Sequence, residues 1–145
     1  MDNREESLRL LKEAGEDFGR AERYAEFKDW VTVVHYAQLA IEKSAKAIIS
    51  CFEAYGWTYD PSEQLKKLVG KGFLGKEALK IAIYAKEAAP WHGRSTYGGL
   101  KNGKWRTPSE LCSKGDAMQL LQKAGESLEE AKRFIERFWR SATHS

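Results

Sequence analysis

The sequence predicts an all-α fold: an up-and-down antiparallel bundle of four main helices with one additional short helix. Three observations predict it. Apolar residues recur at helical spacing through most of the chain, no stretch alternates with period two over strand length, and only 3 of the 145 residues are proline. Hydrophobic residues make up 42% and charged residues 31%, a globular balance that excludes a disordered chain. The length suits one domain, 1–145, with a full core.

The elements follow in order. The first helix starts at Asn3, which can cap with Glu6 three residues on, and carries Leu8, Leu11, Phe18 and Ala25, with Gly15 completing the stripe. It ends near residues 27–29. The second, over about 30–54, is striped by Val34, Ile41, Ala45, Ile48 and Phe52. Gly56 then suits a stop, Asp60 a cap and Pro61 the first turn of a short helix, with Glu63 reaching back and Gly70 and Gly72 ending it. A third long helix, about 75–89, holds Leu79, Ala82, Ile83 and Ala85 and runs into Pro90. Ser113 and Asp116 form a capping box for a last helix to about residue 140, striped by Ala117, Leu120, Leu121, Ala124, Leu128, Ala131, Ile135 and Phe138. At 1.5 Å per residue that helix is about 40 Å long. No sheet is expected.

Between the last two helices lies a segment of another kind. PWHGRSTYGGLKNGKWRTP, residues 90–108, has no Asp or Glu but four glycines, two tryptophans, one tyrosine and four cations. Arg94, Lys101, Lys104 and Arg106 outweigh the whole net charge of +3, so the positive excess sits in this loop. Connections in a bundle are usually about two to eight residues, and longer structureless ones tend to be functional or disordered. Cations meet phosphates, and Trp91, Tyr97 and Trp105 offer faces for base stacking. The competing reading has the tryptophans pin the loop to the bundle and leaves the cations solvated.

Sharper motifs fail. Gly98, Gly103 and Lys104 nearly spell a phosphate-binding P-loop, but Trp105 stands where that loop needs Ser or Thr, and a helix rather than a strand precedes it. His35, His92 and His144 fall on different elements without metal-ligand spacing, so no metal and no cofactor is expected; His35 is read as a hydrogen-bonded residue at the bundle edge. Cys51 and Cys112 lack metal or redox spacing and read as reduced thiols. MDNREESLRLLKE has no apolar signal core, and no apolar run approaches the roughly 20 residues that span a bilayer. The expectation is a cytoplasmic protein without membrane contact.

On the second helix Gln38, Glu42 and Lys46 stand at i, i+4 and i+8, beside the apolar stripe. Periodicity alone reads them as a solvated salt-bridge row, worth about 0.2–0.5 kcal/mol for the ion pair if exposed. AQLAIEKSAKAII, which contains them, resembles the AQ-x-A-x-EK-x-x-KA signature of HEPN domains, nucleotide-binding helical domains of higher eukaryotes and prokaryotes. DPSEQLKKLV, GRSTYGG and GDAMQLLQKAGESLEEAKRFI are similar to the family's short helix, its arginine-tyrosine segment and its closing helix, in the right order over about residues 5–138.

The resemblance implies a bundle similar to the carboxy-terminal domain of kanamycin nucleotidyltransferase and to nucleotidyltransferase substrate-binding subunits. It implies a homodimer, a minimal nucleotidyltransferase as partner, and RNA binding or RNA cleavage in toxin–antitoxin and defence systems. The family's nucleases set a His about a turn or more after an Arg, to position and protonate RNA at the scissile phosphate. Here Arg94 stands where that arginine would, but Gly99, Leu100 and Lys101 occupy the places for the histidine, and His92 precedes the arginine. Arg137 and His144 satisfy the spacing outside the matching segment, and Glu63 replaces a frequent histidine before the short helix. The expectation is therefore a nucleotide- or RNA-binding module. Arg94, Lys101, Lys104 and Arg106 would meet phosphate, Tyr97 and Trp105 would stack on a base, and Gln38, Glu42 and Lys46 would line the groove beneath. A metal-independent RNase using Arg94 and a non-catalytic partner-binding subunit are the alternatives.

Overall fold

The computed structural model describes the backbone of residues 2–144 and the side chains of residues 2–142. Its helices are α1 (Asn3–Glu26), α2 (Trp30–Ile49), α3 (Ser62–Gly70), α4 (Glu77–Ala88), α5 (Pro90–Thr96), α6 (Pro108–Leu111) and α7 (Lys114–His144). A hairpin of β1 (Gly99–Lys101) and β2 (Lys104–Arg106) sits between α5 and α6. The long helices α1, α2, α4 and α7 make the bundle. Ion pairs and ring contacts across the seams give their directions. Tyr24 stacks with Tyr36 and Asp17 pairs with Lys43, so α1 and α2 are antiparallel. Lys80 pairs with Glu126 and Lys123 with Glu87, so α4 and α7 are antiparallel too. Trp139 donates to Ser7 and Gly125 lies against the Phe18 ring, so α7 is antiparallel to α1.

Local chemistry sets the ends. Asp2, one residue before the expected cap, accepts from the Glu5 amide at 2.8 Å and starts α1. Asp29 does the same for α2 through the Thr32 amide. Asp60 holds the Ser62 amide at 3.0 Å, so Pro61 itself becomes the cap position of α3, and no bond reaches back from Glu63. Gly72, at φ +83°, then turns the chain out. Ser113 and Asp116 exchange their capping-box bonds ahead of α7, as the spacing predicts.

The core centres on α2. Val33, Val34, Ala37, Ala40, Ile41, Ala45, Ile48 and Ile49 are buried, each large one worth about 1.5–3 kcal/mol of apolar burial. Against them α1 presents Leu10, Ala14 and Ala21 rather than Leu8, which is exposed. That face also carries buried Ser7 and Asp17, and Asp17 is paired with both Lys43 and Arg20. A hydrophobic pattern cannot see a stripe that includes a paired carboxylate. On α4 the buried face is Ala78, Ile81, Ala82, Ala85 and Ala88, while Leu79 and Ile83 point outward. Alanines at the seams let the helices approach closely, so the larger side chains lost that face.

Two expectations about residues 90–112 are overturned. The segment is not an open loop: Pro90 stands at the first position of α5, where its missing N–H costs nothing, so it starts a helix as well as ending one. Nor is the protein without strands. Asn102 (φ 52°) and Gly103 (φ 76°) form the two-residue turn with both positions left-handed that joins β1 to β2.

Candidate functional site

The short helix α5 divides the expected site residues between two faces. Helical positions three apart share a side. His92 and Ser95 turn toward α2, and Trp91 and Arg94 turn the other way.

On the α2 side a relay runs inward. His92 Nδ1 meets Gln38 Oε1 at 3.2 Å, Gln38 Nε2 donates to Glu42 Oε1 at 3.0 Å, and Lys46 Nζ donates to Glu42 Oε2 at 2.9 Å. Because the Gln38 amide nitrogen is spent on Glu42, its oxygen faces the imidazole. His92 Nδ1 is then the donor to that oxygen. Tyr59 stacks on the same ring with centroids 3.7 Å apart, and Lys46 lies 5.1 Å from the centre of the Tyr55 ring. Gln38 is 1% exposed and Glu42 and Lys46 are 8% exposed. They are neither a solvated row nor a groove lining. Tyr55 lies over Lys46 and His92 of α5 over Gln38, and a buried pair broken on one side costs about 3–5 kcal/mol.

His35 stands beside this relay. Its Nδ1 lies 3.3 Å from Ser95 Oγ, which donates onward to the His92 carbonyl, and the two imidazoles are 6.0 Å apart. Burial, then the proximity of His92, lowers the His35 pKa, with Asp17 opposing. His35 is hydrogen-bonded, as expected from the sequence. Its convergence with Ser95 is invisible to local patterns, because the two are separated by 60 positions. His92 precedes Arg94, and Tyr55 and Tyr59 lie outside any helical window, so no spacing singles them out.

The other side of α5 carries the cations. The Arg94 guanidinium lies 5.0 Å from the centre of the Trp91 ring. Gly99 of β1 packs against the Arg94 methylenes and Leu111: a Cβ there would stand 3.8 Å from Arg94 Cγ and 3.6 Å from Leu111 Cδ1. The hairpin register pairs Gly99 with Arg106, Leu100 with Trp105 and Lys101 with Lys104. Cross-strand partners share a face and successive residues alternate, so Lys101, Lys104 and Arg106 share the face of Gly99. Leu100 and Trp105 form the opposite face, 74% and 64% exposed. Trp105 therefore lies on the hairpin face opposite its cations. Tyr97, at 74% exposure, stands free at the end of α5.

Two lysines directly opposite one another destabilise a hairpin. Of the four cations, Arg106 alone has a carboxylate partner among the described residues, Glu110 at 3.4 Å. This basic face carries repulsion that an anion would relieve. Cys51 and Cys112 are buried free thiols pushed up by burial to about 12 and about 11, so both stay protonated at neutral pH. Arg137 donates to the Arg133 carbonyl, and the His144 side chain lies outside the described residues. Among the described residues no group of three or more His, Cys, Asp or Glu is placed to hold a metal, and no helix is long and apolar enough to cross a membrane.

No curated protein and no solved structure matches the chain. A family model described as HEPN domain matches residues 7–137, which takes in the α2 relay, both faces of α5, the hairpin and most of α7. The chain belongs to the HEPN domain family.

Proposed function

We propose that this HEPN protein is a nucleotide- or RNA-binding module whose phosphate contacts are Arg94, Lys101, Lys104 and Arg106. The observation that carries the reading is the cross-strand pair Lys101–Lys104, without a carboxylate partner among the described residues, on the hairpin face next to Arg94. Backbone phosphates would neutralise it and release counterions, giving salt-dependent binding. Gln38, Glu42 and Lys46 hold α5 in place through His92 instead of touching ligand. Tyr97 remains a stacking candidate at the edge of the face. The exposed Leu100–Trp105 face is the surface through which we propose the protein self-associates or meets a minimal nucleotidyltransferase, in a toxin–antitoxin or defence setting.

A second reading, metal-independent RNA cleavage, is favoured by the two histidines 6.0 Å apart. His92 is oriented by Gln38, and His35 is biased toward its neutral form. Matched native and denaturing gels with end-labelled RNA, with EDTA and with magnesium, test both. Binding predicts a shifted, intact RNA, with affinity lowered about tenfold in Arg94→Ala or in Lys101→Ala/Lys104→Ala, and a shallower salt dependence. Cleavage that persists in EDTA and disappears in His92→Gln would replace binding with catalysis. A native band unmoved by RNA would remove the phosphate reading.

A further inference from the structure

We propose that the cleft between the end of α4, α5 and the first turns of α7 is a base pocket that selects guanine from the nucleotides whose phosphates the hairpin holds. The proposal rests on the phosphate reading above and adds to it. The cavity has a volume of about 150 Å³ and is lined by Glu87, Trp91, Asp116, Gln119, Leu120 and Lys123. It adjoins the basic face because Trp91 belongs to both: its indole lines the cavity and carries the Arg94 guanidinium 5.0 Å from its centre. A nucleotide seated with its base beside Trp91 would therefore have its phosphates within the region of Arg94, Lys101, Lys104 and Arg106.

The lining is mainly polar, with four side chains that can hydrogen-bond beside two that are apolar. Trp91 and Leu120 supply the walls. Lys123 Nζ bonds Glu87 Oε2 at 2.6 Å, and Asp116 Oδ2 takes the Ser113 hydroxyl at 2.8 Å. Glu87 Oε1 and Asp116 Oδ1 remain as acceptors, and Gln119 and the other Lys123 N–H groups remain as donors. Ionised carboxylates only accept, so they favour a base edge with adjacent donors. Guanine presents N1–H beside its 2-amino group, with the O6 acceptor next to them. Uracil presents one N–H between two acceptors. A carboxylate set beside an ammonium and an amide complements guanine and leaves uracil's oxygens facing carboxylate. The Asp116 carboxylate is held in place by its capping bonds to Ser113, so little ordering is lost on binding.

Calorimetric titration of the full chain with GDP, IDP, UDP and inorganic pyrophosphate tests this. IDP differs from GDP only in lacking the 2-amino group. The expected result is GDP binding about tenfold tighter than IDP or UDP. Asp116→Asn, which keeps a helix-capping residue, and Glu87→Gln should each bring GDP toward IDP while pyrophosphate is unchanged, with thermal melts confirming the fold. Equal affinity for the three diphosphates, with pyrophosphate still bound, would overturn the base pocket and leave the phosphate face standing. GDP preference without pyrophosphate binding would support the pocket and sink the phosphate face. Binding of none of the four would overturn both.

Discussion

His35 sits where three elements meet, with Asp17 of α1, Tyr36 on its own helix and His92 and Ser95 of α5 around it. Burial first and His92 second lower its pKa from the usual 6.5, with Asp17 pulling the other way. As pH falls, the unfolded chain therefore takes up a proton at His35 before the folded chain does. The stability this residue contributes is complete above about pH 6.5 and is lost as pH drops through the lowered folded value. Urea midpoints measured from about pH 7 down to about pH 5 should fall, and His35→Gln should flatten that slope. An unchanged slope in the variant would assign the effect to another group. The residues of the relay were half legible in the sequence. The spacing of Gln38, Glu42 and Lys46 put them on one line of α2, but their burial comes from Tyr55, Tyr59 and α5, which lie outside any helical window. For the same reason His92 was visible as a residue and invisible as a partner of Gln38.

At the scale of elements, the hairpin depends on two glycines with different duties. Gly103 completes the turn at φ 76° and a Cβ there would meet open space, so alanine adds only backbone strain, about 1 kcal/mol. Gly98, at φ 85°, leads into β1 under the Arg106 carbonyl, and a Cβ would come within 2.1 Å of that backbone oxygen. Gly98→Ala should therefore displace β1 from β2 and scatter Lys101, Lys104 and Arg106, lowering RNA affinity severalfold, while Gly103→Ala does so weakly. Amide spectra would show the change confined to residues near 94–111, and a G98A protein binding like the parent would remove the hairpin from the site. The signal for this element was in the sequence as Asn102–Gly103, a strong two-residue turn cue. It went unread because three-residue strands are too short to show alternation. Pro90 misled in a similar way, since a proline marks a helix start as readily as a helix stop.

For the whole molecule, stability and the candidate surface reside in different places. The long helices pack around α2 with Val34, Ile41, Ile48, Leu120 and Ile135 buried, and their periodicities were legible because each repeats over several turns. The hairpin stands outside that core: its main contacts beyond itself are with the single-turn α6, and its Leu100, Lys101, Lys104 and Trp105 are exposed. An isolated two-stranded hairpin is marginal in water, so its contacts with α6 and with the Arg94 side chain hold it in place. Replacing residues 98–106 with a short Gly-Ser linker should then leave the bundle folded, with the melting temperature within about 5 °C of the parent. The same replacement should abolish RNA binding, and light scattering should show any dimer reduced to monomer, because the basic face and the Leu100–Trp105 face leave together. A collapse of the melting transition would make the hairpin part of the folding unit. An intact bundle that still shifts RNA would move the phosphate site elsewhere on the bundle, since Arg94 would be the only one of the four proposed cations still present.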